Sequence, residues 1–446
     1  MKKYDVVIIG GGPAGVTCAL SAKNTYPEKQ IAIIRKEQKP MIPCGIPYII
    51  NRLNNVDDNI LPDAPLAANN IDIIIDEVIS RDEKNVKLAS GENIEFEKLV
   101  LAMGSKAVLP KIEGIEKEGI FLVKKDSEYL EKLKTQISQA NTIAILGGGY
   151  IGVEITDELI SAKKRVIIVE MEKTLLPTMD EEFGNKVKEI LVNAGCEVIT
   201  GKSISKVLGS DKINAVELND GTIIRTDMLI VSCGYKPNLE LVKKLGVNYT
   251  EGLGIIVDDY LRTSEKDIFA IGDCAAKYDY FTGEYSNIML ASTAMAEGRL
   301  AGSNLYTIKV IRQYQGVLGT FSTKIGNMAF AVSGITEKRA KRRNLDYIIG
   351  TAKAVDRHPG KLSGASEVNI KLIFSTYSHT LMGCQISGGD SIGEMINMIS
   401  VIILNKMTDI DINTLQIGTH PLLTSSPVVY PLINASADAI KKRHNK

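Results

Sequence analysis

Short, unbroken apolar runs alternate with amphipathic stretches along most of the chain. Val6–Ile9, Ile31–Ile34, Ile143–Leu146 and Val166–Val169 are rich in β-branched residues and bounded by glycine or charge. Runs of this length and composition predict strands buried on both faces, as in a parallel sheet. An Ala-rich or mixed helical stretch separates the members of each pair, so the pattern reads strand–helix–strand twice. Beyond about Gln315 the rhythm changes. Gly316–Phe330, Tyr347–Ala354, Val368–Phe374 and Leu381–Ile386 read as strands, with helices near Thr336–Arg343 and Asp390–Leu404. This last region predicts an α+β domain that packs rather than binds a nucleotide.

The junctions between strand and helix carry the chemistry. Val6–Ile9 runs into Gly10-Gly11-Gly12-Pro13-Ala14-Gly15, and Ile143–Leu146 runs into Gly147-Gly148-Gly149-Tyr150-Ile151-Gly152. Both are G-x-G-x-x-G between a strand and a helix, repeated at an offset of 137 residues from Gly10 to Gly147. The first glycine permits the tight turn, the second lets backbone approach a pyrophosphate, and the third brings helix and strand together. The diphosphate then rests on the helix N-terminus, where N–H groups and the dipole favour an anion. Two copies in the right context predict two dinucleotide sites. The strands that follow end differently. Glu170, 23 residues after Gly147, can accept hydrogen bonds from a ribose 2′-OH and would repel a 2′-phosphate, which favours NADH over NADPH. The matching position of the first repeat is Arg35, with Glu37 two residues on.

Composition narrows the classes. The 446 residues contain 53 Lys plus Arg and 53 Asp plus Glu, so formal net charge is zero and there is no electrostatic drive toward nucleic acid or anionic membranes. No apolar run reaches the ~20 residues that span a bilayer. The apolar N-terminus is broken by Asp5 and Gly10–Gly15, which fits a strand and glycine loop better than a secretory signal. Cys18, Cys44, Cys196, Cys233, Cys274 and Cys384 show no metal-ligand spacing and predict scattered reduced thiols of a cytoplasmic protein, with no metal site.

Further motifs extend the two loops into a resemblance. Leu101-Ala102-Met103-Gly104-Ser105 with Pro110, Ser232-Cys233-Gly234-Tyr235-Lys236-Pro237-Asn238, Ile268–Asp273, and the helix from Ala291-Ser292-Thr293-Ala294 to Gly302 follow one another in a recognisable order. Over its whole length the chain resembles the flavin-dependent pyridine nucleotide–disulfide oxidoreductases. The resemblance implies two Rossmann-like domains and a dimerisation domain: residues 1–113 with 255–315 for FAD, 114–254 for NAD, and 316–446 for the α+β dimerisation domain. It implies FAD at Gly10, Gly12, Pro13, Ala14, Gly15, Arg35, Ala102 and Gly104, with Asp273 on the ribityl chain and Ala291, Thr293 and Ala294 facing the flavin ring. NADH falls to Gly147, Gly149, Tyr150, Ile151, Gly152, Glu154, Glu170 and Gly234. Tyr150 matches an aromatic lid over the flavin, and Glu154 a carboxylate near the nicotinamide.

Cys44 decides the branch. The dithiol enzymes carry two cysteines four residues apart, whereas Met41–Tyr48 holds Cys44 alone. This is similar to the single-cysteine branch, which includes NADH oxidases, coenzyme A-disulfide reductases and persulfide or polysulfide reductases. A thiol at the start of a helix is expected to be a stabilised thiolate nucleophile. Cys18, Cys233 and Cys274 read as packing residues. Thr419-His420-Pro421 resembles the His-Pro of the dithiol enzymes, so His420 is a candidate acid–base residue supplied across a homodimer. His358 is a weaker candidate, His379 is expected in a hairpin turn, and Lys338–Arg343 reads as a solvated helix face capped by Thr336. The implied activity passes two electrons from NADH through FAD and Cys44 to a disulfide, a persulfide or polysulfide, or O2. The alternatives are a water-forming NADH oxidase and a reductase of rubredoxin- or ferredoxin-type carriers.

Overall fold

The structure, a computed structural model, describes residues 2–313 and 316–445. The chain ends and the expected boundary at 315/316 touch residues outside that set. The fold is mixed α/β and comprises two compact units: Met1–Lys111 with Gly119–Asn141 and Ile230–Val317, and Ile112–Glu118 with Thr142–Leu229 and Leu318–Lys446. Among the described residues no helix is long and apolar enough to cross a membrane.

In the first unit, parallel strands run in the order Asp72–Ile75, Ile31–Arg35, Lys2–Ile9 and Asn93–Leu101, with Ile268–Ala270 pairing the end of the last. The apolar run Val6–Ile9 pairs on both sides, with Val6 opposite Ile31 and Lys98, which is why it carries no polar face. Helix Pro13–Thr25 follows the first loop and packs on helix Ala291–Ser303. The two helices touch through backbone. A Cβ on Gly298 would lie 2.7 Å from the Ala14 carbonyl oxygen, and one on Gly302 2.5 Å from that of Cys18.

The second unit repeats the device: Thr142–Leu146, helix Tyr150–Ser161 and Arg165–Glu170, with Glu197–Thr200 added in parallel. Its C-terminal part is a five-stranded antiparallel sheet ordered Thr320–Ile325, Met328–Gly334, Leu381–Gly388, Glu367–Ser375 and Tyr347–Val355. Helices Ile392–Leu404 and Pro431–His444 pack on it. Gly316–Phe330, expected as strand throughout, instead turns at Gly326, whose φ of +57° closes a hairpin between the first two strands. His379 occupies the expected turn at φ +59°. Thr336 caps helix Glu337–Arg342 by accepting from the Arg339 N–H.

Candidate functional site

The first glycine loop is closed where it must pack and open where a ligand must approach. Gly10 has φ +114°, and a Cβ there would sit 2.2 Å from the Ala102 carbonyl oxygen; one on Gly15 would sit 2.0 Å from that of Gly10. At Gly12 a Cβ would meet nothing within 4 Å. Gly12 also N-caps helix Pro13–Thr25 without a side-chain hydrogen bond, and Pro13 lacks an N–H, so the remaining first-turn donors face an open cradle. Such a cradle fits a diphosphate. Gly149 repeats it in the second unit: it N-caps the helix beginning at Tyr150 without a side-chain bond, and nothing lies within 4 Å of its Cβ direction.

Other predicted residues of the first unit converge on the same loop. A Cβ on Gly272 would lie 3.0 Å from the Ala14 Cβ and 3.5 Å from the Ala294 Cβ. The turn holding Asp273 therefore meets the first glycine-loop helix and the start of the Ala291–Ser303 helix, where Ala291 and Thr293 also lie. Asp273 accepts from Ser105 Oγ at 2.7 Å, and Lys125 Nζ lies 3.2 Å from that hydroxyl and 3.5 Å from the carboxylate. Behind the turn, Lys277 and Glu297 form an ion pair at 2.9 Å with side chains only 3% and 8% exposed. Glu297 also accepts from the Gly272 N–H, and Lys277 donates to the Gly272 and Ala275 carbonyls. The segments Ser105–Ala107 and Tyr235–Pro237 pair as an antiparallel ribbon. Gly234, at φ +91°, accepts there from the Val108 N–H, and Gly104, at φ +66°, from that of Asn238.

Arg35 is buried beneath Gly11 and forms a two-pronged ion pair with Asp63, 2.6 Å on each arm, while its Nε donates to the Glu37 carbonyl. Its charge is thus answered within the protein. Next to it opens a cavity of about 300 Å³ lined by Gly10, Arg35, Glu37, Glu77, Met103 and Asn238, among others. Its wall includes the acidic residues Glu37 and Glu77, the latter paired with Lys36. Sequence reasoning recognised the unusual arginine but missed Asp63, 28 residues away.

In the second unit Glu170 is buried and holds its own loop: one oxygen accepts from Gly148 N–H at 2.6 Å, the other from Glu172 N–H at 2.7 Å. Each oxygen keeps a lone pair for a further donor. Gly147 takes φ +104°. Gly152 is buried in the helix, with half-buried Ile151 before it. Tyr150 stacks edge-on against Phe321 at 4.3 Å, and its hydroxyl accepts from Thr178 Oγ1. One turn on, Glu154 accepts from Thr323 Oγ1 at 2.7 Å. Burial pushes its carboxyl up to about 7, against the Thr323 hydroxyl, which pulls it down.

The thiols divide by exposure. Cys18, Cys196, Cys274 and Cys384 are buried. Burial pushes Cys18 and Cys196 up to about 12, Cys274 to about 11, and Cys384 upward as well. Cys44 and Cys233 are exposed. The expected packing role thus holds for Cys18 and Cys274 but not for Cys233, which lies in the loop after strand Met228–Val231 rather than within the core. Cys44 sits near the start of Pro43–Ile49, a seven-residue 3₁₀ helix rather than the α-helix whose dipole would act fully on a thiolate. The turn is pinned from below: buried Asn59 donates from Nδ2 to the Ile42 carbonyl at 3.0 Å, and a Cβ on Gly45 would lie 1.9 Å from its Oδ1.

His420 is exposed. Its Nδ1 accepts from the Leu422 N–H at 3.2 Å, and its backbone N–H donates to Thr424 Oγ1. That leaves Nε2 as the ring nitrogen free to exchange a proton. His358 Nδ1 is tied to the Thr424 carbonyl at 3.0 Å.

Residues 4–298 match the pyridine nucleotide-disulphide oxidoreductase family, and 320–429 match its dimerisation domain. An NADH oxidase of Methanocaldococcus jannaschii is 32% identical, with 99% of each chain covered. An NAD(P)H coenzyme A polysulfide/persulfide reductase of Pyrococcus horikoshii is 31% identical over 87% of this chain and 88% of its own. Among solved structures, an NAD-dependent persulfide reductase from A. fulgidus superposes with a TM-score of 0.91 at 28% identity, covering 99% of this chain and 84% of that one. The chain therefore belongs to the pyridine nucleotide-disulphide oxidoreductase family and is an oxidoreductase that works with FAD and NADH.

Proposed function

We propose that Cys44 is the redox thiol of this enzyme and that its acceptor is a disulfide, persulfide or polysulfide. The observation that carries the reading is the exposed Cys44 on a turn pinned by Asn59, in a unit whose Cys18 and Cys274 are buried and hard to ionise. The names of the Pyrococcus and A. fulgidus relatives point to the same acceptor class. FAD, when bound, takes a hydride from NADH and relays two electrons. The protein's share is to open Cys44 to the acceptor. The thiolate attacks one sulfur, the S–S bond breaks, one thiol leaves, and Cys44 holds a mixed disulfide or persulfide. Two electrons and a proton then release the second thiol or sulfide and restore the thiolate.

In this reading FAD lies along Gly10, Gly12, Pro13, Ala14, Gly15, Ala102, Gly104, Asp273, Ala291, Thr293 and Ala294. Arg35 shapes the floor of the loop rather than touching ribose. NADH takes Gly147, Gly149, Tyr150, Ile151, Gly152, Glu154, Glu170 and Gly234. The FAD domain comprises residues 1–113 and 255–315, the NAD domain 114–254, and the dimerisation domain 316–446. The enzyme is a cytoplasmic homodimer in which His420 handles protons for the other subunit. Leu422, Leu423 and Val428, exposed at 51%, 66% and 81% beside His420, supply an apolar surface suited to that contact.

A second reading is an NADH oxidase, favoured by the Methanocaldococcus relative's name and its full-length match, with water as the product proposed here. There O2 takes two electrons to become peroxide. Cys44 reduces the peroxide to water and becomes a sulfenic acid, and a second NADH returns that to thiolate with another water. Steady-state NADH oxidation with polysulfide, disulfides and O2, measured on wild type and Cys44→Ser, tests both. Preferential turnover with sulfur acceptors that disappears in the variant supports the first reading; O2 turnover yielding water supports the second. Full sulfur turnover by Cys44→Ser would show that Cys44 is not the redox thiol.

A further inference from the structure

Strand Thr320–Ile325 and the turn after it lie along one face of the second glycine-loop helix and meet it at three successive points. Phe321 packs edge-on against Tyr150 at 4.3 Å, Thr323 donates to Glu154 at 2.7 Å, and the Gly326 N–H donates to Asp157 Oδ1 at 3.1 Å. Positions 150, 154 and 157 share a helix face, and Phe321 and Thr323 share a strand face by alternation. The contact is thus a register between two elements and not a chance touch of side chains. Its first two points fall on Tyr150 and Glu154, assigned above as the aromatic lid and the carboxylate near the nicotinamide.

We infer that Thr323 is a positioning residue for hydride transfer from NADH: its hydroxyl holds the Glu154 carboxylate in place and in its charged form. The inference rests on the assignment of Glu154 to the nicotinamide. A carboxylate beside that ring favours its oxidised, positively charged form, whereas a neutral carboxyl does not. Burial works against the charge and brings the group near neutrality, to about 7. The Thr323 hydrogen bond works for it. Thr323 is itself buried, so water cannot readily replace the hydroxyl if it is lost.

The charged and titratable groups around Glu154 can be named. On its own helix are Glu158, which raises its pKa, Asp157, turned to Gly326 N–H, and Tyr150, whose hydroxyl burial keeps protonated. On the docked strand Lys324 points to the opposite face and pairs with Asp390. On the neighbouring parallel strand Glu170 is occupied by the Gly148 and Glu172 N–H groups, and Arg165 at its far end pairs with Glu197. Thr323 is the group that donates a hydrogen bond to the carboxylate.

The test is the pH dependence of anaerobic flavin reduction by NADH in the FAD-loaded enzyme, followed by rapid mixing, together with NAD⁺ affinity. In wild type the rate should fall as pH drops through a midpoint near the Glu154 value of about 7. Thr323→Val should move that midpoint up by about one pH unit, the worth of one hydrogen bond to a charged group. It should also weaken NAD⁺ binding several-fold near neutrality. Thr323→Ser, which keeps the hydroxyl, should restore both, and Thr323→Ala gives a second reading if the valine variant yields no holoenzyme. Glu154→Gln separates the two levels. If it removes the midpoint while Thr323→Val and Thr323→Ala leave the wild-type midpoint in place, the role of Thr323 is overturned and the site assignment stands. If Glu154→Gln retains the midpoint, the assignment falls and the inference with it.

Discussion

The two glycine loops share a strand, a turn and a helix, yet they satisfy the end of the following strand in opposite ways. In the second unit an acid, Glu170, reaches back and accepts from the loop's own Gly148 N–H. In the first unit a base, Arg35, lies under Gly11 and must be neutralised by Asp63. The acidic residues there are displaced to Glu37 and Glu77 on the cavity wall. The scaffold therefore fixes where a diphosphate can rest. The charge at the strand end decides separately what holds the loop and, in the proposed reading, which sugar is met. In the proposed reading, one architecture serves two nucleotides because those two tasks fall to different residues.

The comparison can be broken most severely at the thiol that only the first unit exposes on a pinned turn. Cys44→Ser should lower turnover with sulfur acceptors at least a hundred-fold, while leaving FAD content and reduction by NADH near wild type. Acceptor-dependent steady-state assays beside absorbance spectra of the flavin would check this. Retained turnover would move the carrier-reductase alternative ahead.

The buried pair that backs the first site comes next. Lys277→Met removes the ion-pair partner of buried Glu297, with an expected cost of about 3–5 kcal/mol. Chemical denaturation should register most of that loss. Lys277→Met combined with Glu297→Leu should recover a good part of it, because removing both charges spares their desolvation. If the double variant is no better than the single, the pair serves some purpose other than mutual neutralisation.

Within the first loop, Gly15→Ala and Gly12→Ala should part company. Gly15→Ala forces a Cβ to 2.0 Å from the Gly10 carbonyl oxygen and should destabilise even the apoprotein by about 3 kcal/mol. Gly12→Ala places its methyl in open space, so apoprotein melting should hardly move while FAD affinity drops. Equal losses of apoprotein stability would contradict the division between packing and ligand glycines. In the second loop, Glu170→Gln should reduce the preference for NADH over NADPH by about ten-fold, roughly 1.4 kcal/mol, read from the two kcat/KM values.

Much of this was legible in the order of residues. The two βαβ units and the open glycines follow from local spacing, which the backbone obeys wherever it occurs, and the helix at Ala291 follows from the resemblance. What stayed hidden was pairing over distance. Nothing near Arg35 announces Asp63, nothing near Lys277 announces Glu297 as its partner, and the reach from Thr323 to Glu154 spans 169 positions. The hairpin at Gly326 was missed because β-rich residues continue through it and one glycine carries the turn. Cys233 was misjudged because a residue just past a buried strand can face either way, and only the loop geometry decides.

The backbone contact between helix Pro13–Thr25 and helix Ala291–Ser303 has a consequence in time. Tyr26 donates to the Ser303 carbonyl across 277 positions, and Leu99 waits for Ile268 as its strand neighbour. At a synthesis rate of about 5–20 residues per second, the first glycine loop emerges tens of seconds before the elements that cover its helix. During that interval apolar Val6–Ile9 and Ile31–Ile34 can pair with each other, but helix Pro13–Thr25 lacks the Gly298 and Gly302 surface that buries it. The second unit's glycine loop meets its parallel neighbours within a few dozen residues. Both glycine-loop helices nevertheless wait for a late partner, Pro13–Thr25 for Ala291–Ser303 and Tyr150–Ser161 for Thr320–Ile325, and each stays open to chaperones until that partner is made.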